Sequence, residues 1–492
     1  MRVLEGLQPE RVMYYFEEIA KIPHGSRHTQ AISEWLAGFA KGRGLEYTRD
    51  ALGNVVIRKA ATEGCGNVPG VILQGHMDMV CEKDATSDLN MEREGLRLVV
   101  TSEGDECIVT AEGTTLGGDD GIAVAYMLAI LESDAILHPE LECVFTVDEE
   151  IGMLGAAGMD MSQLRGKYLL NIDSEEEGHL LAGCAGGCTI TFSLPVERES
   201  CPEGNLMILS VEDLQGGHSG LEIDKGRANA CILLGRVLQD MYSRYSDREI
   251  RVSKVQGGTK DNAIPRQAEA YLRVQADREE SLHGFLKEEE ELFRSEYGDR
   301  DPDIRLLLSE GPKEGTGCFT GASGKNVIRL LRLVPNGVQK MSFATPGLVE
   351  TSLNLGILTT SEDTVSASFL VRSNVNSEKC EVVSRLAMLA DALGGTLTNE
   401  GDYPAWEYRA ESHLREVMCA CYREQYGEDM VVETVHAGVE CGLFADGIEG
   451  LDAVSFGPDL VDIHTPKERM YVASVERTWR LILSVLKCLS GK

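Results

Sequence analysis

The sequence predicts an α/β protein in which one domain, a mixed sheet flanked by helices, is interrupted by a long inserted α+β domain. Three observations predict it. Apolar runs without alternation, such as Val71-Ile72-Leu73 and Leu141 to Val147, read as strands buried on both faces. They alternate with helix-length segments, the pattern of a largely parallel sheet. Near residue 185 the chain turns to polar–apolar alternation, and after Asn399 it returns to the first style.

The elements follow in order. The first 50 residues read as two helices; in the second, Ile32, Trp35, Leu36 and Phe39 make one apolar face at helical spacing. Val71–Leu73 is a strand, and Ile122 to Leu131 is a helix opening after a Gly-Asp-rich turn. Leu141 to Val147 and Tyr168 to Ile172 are further strands. The inserted stretch alternates at Thr189–Leu194 and Ala268–Val274, with a charged helix from Ser281 to Tyr297. Within it, GGTKDNAIPRQAEAYLRVQAD has a weak echo in PGLVETSLNLGILTTSEDTVSASFLVRSN, which suits two similar halves. A helix from Arg409 to Tyr426, strands at Met430–Val432 and Ala453–Phe456, and a helix from Ala473 to Leu489 complete the chain. The expected division is therefore 1–185 with 401–492 as one domain, and 186–400 as the insertion.

Bulk composition narrows the function classes. The chain has 492 residues, 43% hydrophobic and 26% charged, which suits folded domains of ordinary core size. A net charge of −33 would repel phosphate backbones and anionic lipid, arguing against nucleic-acid and membrane-surface roles. No apolar run approaches the roughly 20 residues a membrane helix needs. The N-terminal segment carries charges throughout and lacks the apolar centre of a secretory signal, so a cytoplasmic protein is expected. Fourteen cysteines at irregular spacing make no disulfide framework. Cys184, Cys188, Cys419 and Cys421 are expected as buried free thiols, since no CxxC partner sets accompany them.

Five short segments carry the chemistry: QGHMDMV (His76, Asp78), LGGDDG (Asp119), VDEEIG (Glu149, Glu150), NIDSEE (Asp173) and VDIHTPKE (His464). Several follow a predicted strand directly, and ligands of an open α/β sheet gather outside the carboxyl ends of its strands. Taken singly, each has a plainer explanation: an Asp in a Gly turn is usually a turn-former or helix cap, and a Glu pair is usually a solvated face. Together they leave unexplained why acids and histidines end so many apolar strands. Two neutral imidazoles with several carboxylates suit zinc, cobalt or manganese better than calcium. Carboxylates gathered this closely repel one another without a cation. Three ligating carboxylates and a bridging hydroxide carry about −4, which two divalent ions neutralise, leaving one acid over as a base.

GHMDMV, GGDDG, DEEIG and IHTPKE resemble the zinc peptidases of the M20 metallopeptidase family, within it the aminoacyl-histidine dipeptidase branch. The likeness runs from IAKIPHGSRHT near the start to the last helix. It implies a discontinuous di-zinc catalytic domain with an inserted lid domain, acting on unblocked dipeptides, Xaa-His among them. By the same resemblance His76, Asp119 and Asp173 hold one metal, and Asp119 bridges to a second completed by Glu150 and His464. Asp78 orients His76, and Glu149 is the general acid/base that takes a proton from metal-bridging water and returns it to the leaving amine. Zinc is the expected ion, with cobalt or manganese as substitutes.

In the lid, the resemblance implies that His218 (GGHSG) helps hold the substrate carbonyl, while Asn262 and Arg372 bind substrate polar groups. Arginine is the natural fork for a free carboxylate. Glu440, in HAGVECG, is expected at the substrate amino group, with a structural turn as the competing explanation; His436 is expected to be satisfied locally. Two other functions stay in view: an N-acyl-amino-acid or carbamoyl amidohydrolase of the same family, and a non-catalytic peptide- or metal-binding homologue. An acidic calcium-binding protein would need an oxygen-only loop, which the sequence lacks. A homodimer and a chain whose lid mimics one internally both remain open.

Overall fold

The computed structural model describes residues 2–312, 317–343 and 345–491, and the chain divides into two compact units. One comprises Met1–Cys184, Trp406–Val435 and Val439–Lys492; the other comprises Ala185–Ala405 and a short return, His436–Gly438. The architecture is α/β with a discontinuous domain and an α+β insertion.

The discontinuous unit is built on an eight-stranded mixed sheet. Its order is Glu46–Arg49, Val55–Lys59, Leu141–Thr146, Val71–His76, Tyr168–Asn171, Asp452–Ser455, His179–Cys184 and Val431–Val435. The central strands are parallel, with Val71 opposite both Leu141 and Tyr168. Every residue of Val71–His76 and Leu141–Thr146 is buried, which explains why successive residues such as Val71-Ile72-Leu73 and Cys143-Val144-Phe145 are apolar on both faces. Val71 and Leu73 enter a core shared with helices Glu10–Ile19, Gln30–Arg43, Gly118–Glu132, His413–Tyr426 and Val472–Leu489. Ile72, pointing the other way, enters a smaller core with Phe444 and Met161.

Helix Gly118–Glu132 is buried along nearly its whole length, so truncating Ile122 or Leu128 to Ala should cost about 2–5 kcal/mol. The expected Arg409 helix starts later, at His413, because the Ser412 side chain accepts the Arg415 N–H at 3.0 Å and caps it there. A hairpin that the sequence analysis passed over, Leu98–Glu103 with Glu106–Ala111, joins Arg469–Tyr471 and Leu460–Val461 in a small antiparallel sheet.

The inserted unit holds a nine-stranded antiparallel sheet covered by helices. A run of helix, strand, strand, helix, strand occurs twice within it. The first run is Ala230–Arg244, Ile250–Gly257, Ala268–Val274, Glu279–Tyr297 and Arg305–Glu310. The second is Gly321–Leu333, Val349–Thr360, Thr364–Ser373, Asn376–Leu393 and Thr396–Tyr403, with the short strand Gly337–Met341 interposed. Asn205–Glu212 lies inside the first set of strands as Gly186–Pro195 lies inside the second, and the sets meet where Gly257 pairs with Leu358. Strand Ala268–Val274 alternates buried and half-buried residues, as a sheet with one covered face requires.

The cysteine expectation needs one correction. Cys201 and Cys318 are disulfide-bonded, with Cα atoms 5.0 Å apart. The short ladder Arg198–Glu199 with Cys318–Phe319 brings them together across 117 residues, a pairing no local spacing could signal. Cys184, Cys188, Cys419 and Cys421 are free thiols; all but the half-buried Cys419 are buried. Among the described residues, no helix is long and apolar enough to cross a membrane.

Candidate active site

The parallel strands end together, and that sets the site. His76, the last residue of its strand, lies opposite Thr146, and Gln74 lies opposite Asn171. The residues just beyond those ends, Glu149 and Glu150 after one strand and Asp173 after the other, therefore emerge beside His76. Gly75 admits the fourth contributor. A Cβ there would fall 2.4 Å from Asp120 Oδ2 and 2.6 Å from Ala123 Cβ, so only glycine lets the start of helix Gly118–Glu132 approach. Asp119 and Asp120, joined by a cis peptide, depart from helical dihedrals at that start. Asp120 Oδ2 accepts the His76 N–H at 3.1 Å.

Asp119 stands between the two histidines. Its Oδ1 is 3.0 Å from His76 Nε2, which is also 3.4 Å from Asp173 Oδ1. Its Oδ2 is 3.0 Å from His464 Nε2, which is also 3.0 Å from Glu150 Oε2. Asp78 lies behind: its Oδ1 is 3.5 Å from His76 Nδ1 and accepts the Glu149 N–H at 3.1 Å, while its Oδ2 accepts from Ser26 Oγ at 2.9 Å. Asp78 thus steadies both: its backbone carbonyl, 2.9 Å from His76 Nδ1, holds the imidazole, and its carboxylate holds the turn bearing Glu149 and Glu150. Among the described residues, three overlapping trios present ligand atoms within 4.8 Å of one another: His76–Asp119–Glu150, His76–Asp120–Asp173 and Asp119–Asp173–Glu175.

The electrostatics express crowding of negative charge. Burial raises Glu149 well above the usual carboxylate range, and the Asp173, Glu440 and Glu150 carboxylates add to it while His76 opposes. Burial likewise raises Glu175 to about 8, with Asp119 and Asp173 adding to it. Hydrogen bonds to Asp119 and Glu150 lift His464 to about 10. Burial would lower His76, yet Asp173, Asp119 and Asp78 hold it well above the ordinary histidine value. Glu150 Oε1 is buried with no hydrogen-bond partner among the described residues. Imidazole nitrogens mixed with converging carboxylates, one oxygen left unpartnered, fit a divalent transition-metal ion.

The remaining expected residues lie elsewhere. His218, Asn262 and Arg372 belong to the inserted unit and gather there. The backbone N–H of Ser219, next to His218, donates to the Asn262 carbonyl at 2.9 Å. Burial lowers the His218 pKa, and the nearby Arg372 lowers it further. Arg372 is buried; its Nη1 donates to Tyr403 Oη at 3.3 Å, and its Nε has no partner among the described residues. His436 is buried in the same unit between Ser352 Oγ at 2.7 Å and Asn374 Oδ1 at 3.1 Å.

Glu440 lies in the discontinuous unit. Its side chain is fully buried, its Oε2 accepting from Gln74 Nε2 at 2.5 Å and Thr146 Oγ1 at 2.7 Å. Gln74 in turn accepts from Asn171 Nδ2 at 2.6 Å. These partners tie Oε2 to the parallel strands beneath the cluster, while Oε1 is buried with no hydrogen-bond partner among the described residues. Three acids went unassigned in the sequence: Asp120, Glu175 and Glu468. All three sit inside quoted segments; the doubled acids of GGDDG and NIDSEE were the available signal for the first two, and Glu468 closes VDIHTPKE.

This sheet and acid cluster belong to a metallopeptidase fold. The chain belongs to Peptidase family M20/M25/M40, which it matches over residues 72–487. It is 36% identical over 493 aligned residues, all of both chains, to the cytosol non-specific dipeptidase of Escherichia coli strain K12. The crystal structure of aminoacylhistidine dipeptidase from Vibrio alginolyticus superimposes with a TM-score of 0.89 at 36% identity, covering 99% of this chain and 98% of that one. A tripeptidase from Staphylococcus aureus shares the fold at a TM-score of 0.57 and 16% identity, over 99% of this chain and 100% of that one.

Proposed function

We propose that this chain is a metallo-dipeptidase of the cytoplasm that hydrolyses unblocked dipeptides, Xaa-His among them, at a centre for two divalent ions, with zinc as the native metal. The observation that carries the two-ion reading is Asp119, whose two oxygens face different histidines at 3.0 Å each. His76 and Asp173 would hold one ion, Glu150 and His464 the other, with Asp119 shared between them. Such ions polarise a carbonyl and acidify water, which is the chemistry amide hydrolysis needs. Support for the dipeptide substrate comes from two relatives named as dipeptidases, each 36% identical across essentially the whole chain.

The chain's own residues divide the remaining work. Glu149 stands next to Glu150 on the turn whose N–H groups Asp78 holds, and no imidazole among the described residues pairs with it, so it suits the group that, ionised, takes a proton from attacking water and gives it to the departing amine. Asp78 fixes the His76 ring from Nδ1 while anchoring the Glu149 amide. The discontinuous unit is the catalytic domain in this proposal and the inserted unit its lid. Arg372 is the fork for the substrate's C-terminal carboxylate, His218 supports the scissile carbonyl, and Asn262 binds a further polar group.

Metal analysis of the purified protein, with hydrolysis of β-Ala-His, Gly-Gly, Leu-Gly, N-acetyl-Met and a tripeptide, tests the proposal. Two ions per chain and cleavage confined to the dipeptides are expected. Preference for N-acetyl-Met would replace it with an amidohydrolase, and bound metal without turnover would replace it with a binding protein.

A further inference from the structure

The segment that delivers His464 also carries Glu468, a carboxylate that no step above uses. It is 2% exposed, and its oxygens accept four consecutive backbone N–H groups. Oε2 takes those of Leu116 at 2.7 Å and Gly117 at 3.1 Å; Oε1 takes those of Gly118 at 2.8 Å and Asp119 at 3.3 Å. Successive N–H groups curled round one point form a nest that attracts an anion, and here the chain supplies its own. The fit is close: a Cβ on Gly118 would lie 3.1 Å from Glu468 Oε1 and 3.0 Å from Leu460 Cδ2.

The segment is itself held in shape. Glu468 N–H donates to the Thr465 carbonyl at 3.1 Å, Thr465 Oγ1 donates to the Asp462 carbonyl at 2.7 Å, and Thr110 Oγ1 donates to the Glu468 carbonyl at 2.9 Å. One short stretch therefore presents His464 to Asp119 Oδ2 and grips the backbone from which Asp119 projects.

We propose that Glu468 is a positioning residue that sets Asp119 between the two histidines and thereby governs how tightly the shared metal pair is held. This rests on the two-ion reading above. A buried carboxylate with four N–H donors is a strong anchor, since hydrogen bonds to charged groups exceed neutral ones and each donor would otherwise be left unpaired. Glutamine is a poor substitute, because its NH2 group would face two of those donors.

The test is Co(II) and Zn(II) binding by equilibrium dialysis to wild type, Glu468→Gln and Gly118→Ala, with the folded fraction of each measured by circular dichroism. The wild type should bind two ions, and both variants should bind per folded chain with dissociation constants about 10–100-fold higher. Activity should recover toward wild type as metal is raised to saturation. Wild-type affinity per folded chain in Glu468→Gln would overturn the assignment, leaving Glu468 a role in folding alone. Should that variant not fold, Gly118→Ala decides by the same measurement, because it presses on the clamp while leaving the carboxylate in place. A wild type that binds no ion would fell the two-ion reading itself, and the assignment with it.

Discussion

In the discontinuous unit the polar side chains converge as acids; in the inserted unit they converge around an arginine. The first cluster draws on strand ends, a helix start and the C-terminal segment, and burial drives Glu149, Glu175 and Glu440 upward in pKa. In the second, Arg372 lies near His218 and His436, and burial together with its charge lowers both histidines. Both units bury groups of one sign beyond what local partners neutralise. Glu150 Oε1 in one and Arg372 Nε in the other have no partner among the described residues. A burial pattern of this kind stores affinity for the opposite charge: a cation at the acids, an anionic group at the arginine.

Removing the metal tests that contrast most severely. Dialysis against a chelator should abolish dipeptide hydrolysis, and adding back Zn(II) or Co(II) should restore it; full turnover in metal-free protein would remove the cation half of the comparison. Next in size is Glu149→Gln. It should lower kcat about 10²–10⁴-fold with metal content unchanged, measured by steady-state kinetics beside elemental analysis. A loss of metal in that variant would make Glu149 a ligand instead.

Arg372→Ala should raise KM about 10–100-fold for free dipeptides, the worth of a charge-assisted pair, and should leave the KM for dipeptide amides, which lack the carboxylate, nearly unchanged. Equal losses on both substrates would show that Arg372 is structural and would break the anionic half of the contrast.

The smallest effect is a pH dependence. His436 is held near a pKa of about 3 by burial and Arg372, below the ordinary value of 6.5, so it folds neutral. The unfolded chain takes up a proton below its own pKa while the folded chain does not. Stability from this group is therefore complete above about 6.5 and declines as pH falls toward 3, with a slope approaching ~1.4 kcal/mol per pH unit. Denaturant unfolding of His436→Gln should show a flatter acid limb than wild type, and identical limbs would contradict the assignment.

Much of the architecture was legible because it is written in local periodicity. The buried strands Val71–His76 and Leu141–Thr146 announced themselves through their apolar stretches Val71–Leu73 and Cys143–Phe145, and Ala268–Val274 through alternation. Helix Gly118–Glu132 begins regular geometry just past Asp119 and Asp120, where the sequence turns from Gly-Asp to apolar. The gathering of His76, Asp119, Glu150, Asp173 and His464 was legible as residue types placed after strand ends. Their proposed division between two ions came from resemblance alone. The Leu98–Glu103 hairpin went unread because its strand is mostly exposed and carries no apolar stripe.

The sequence by itself determined most of the buried strands and helices, and which side chains stand at the strand ends. These depend on residue order within a turn or a strand, which neighbours along the chain can specify. Only the tertiary structure decided what those side chains face. Asp119 and His464 are 345 residues apart, and their contact exists because the sheet and the C-terminal segment close on the same loop. The same closure gives Glu468 four N–H donors, turns Glu440 inward onto Gln74 and Thr146, and brings Cys201 to Cys318. A carboxylate's role as ligand, clamp or buried strut depends on which partners surround it in space, and periodicity along the chain carries no information about that.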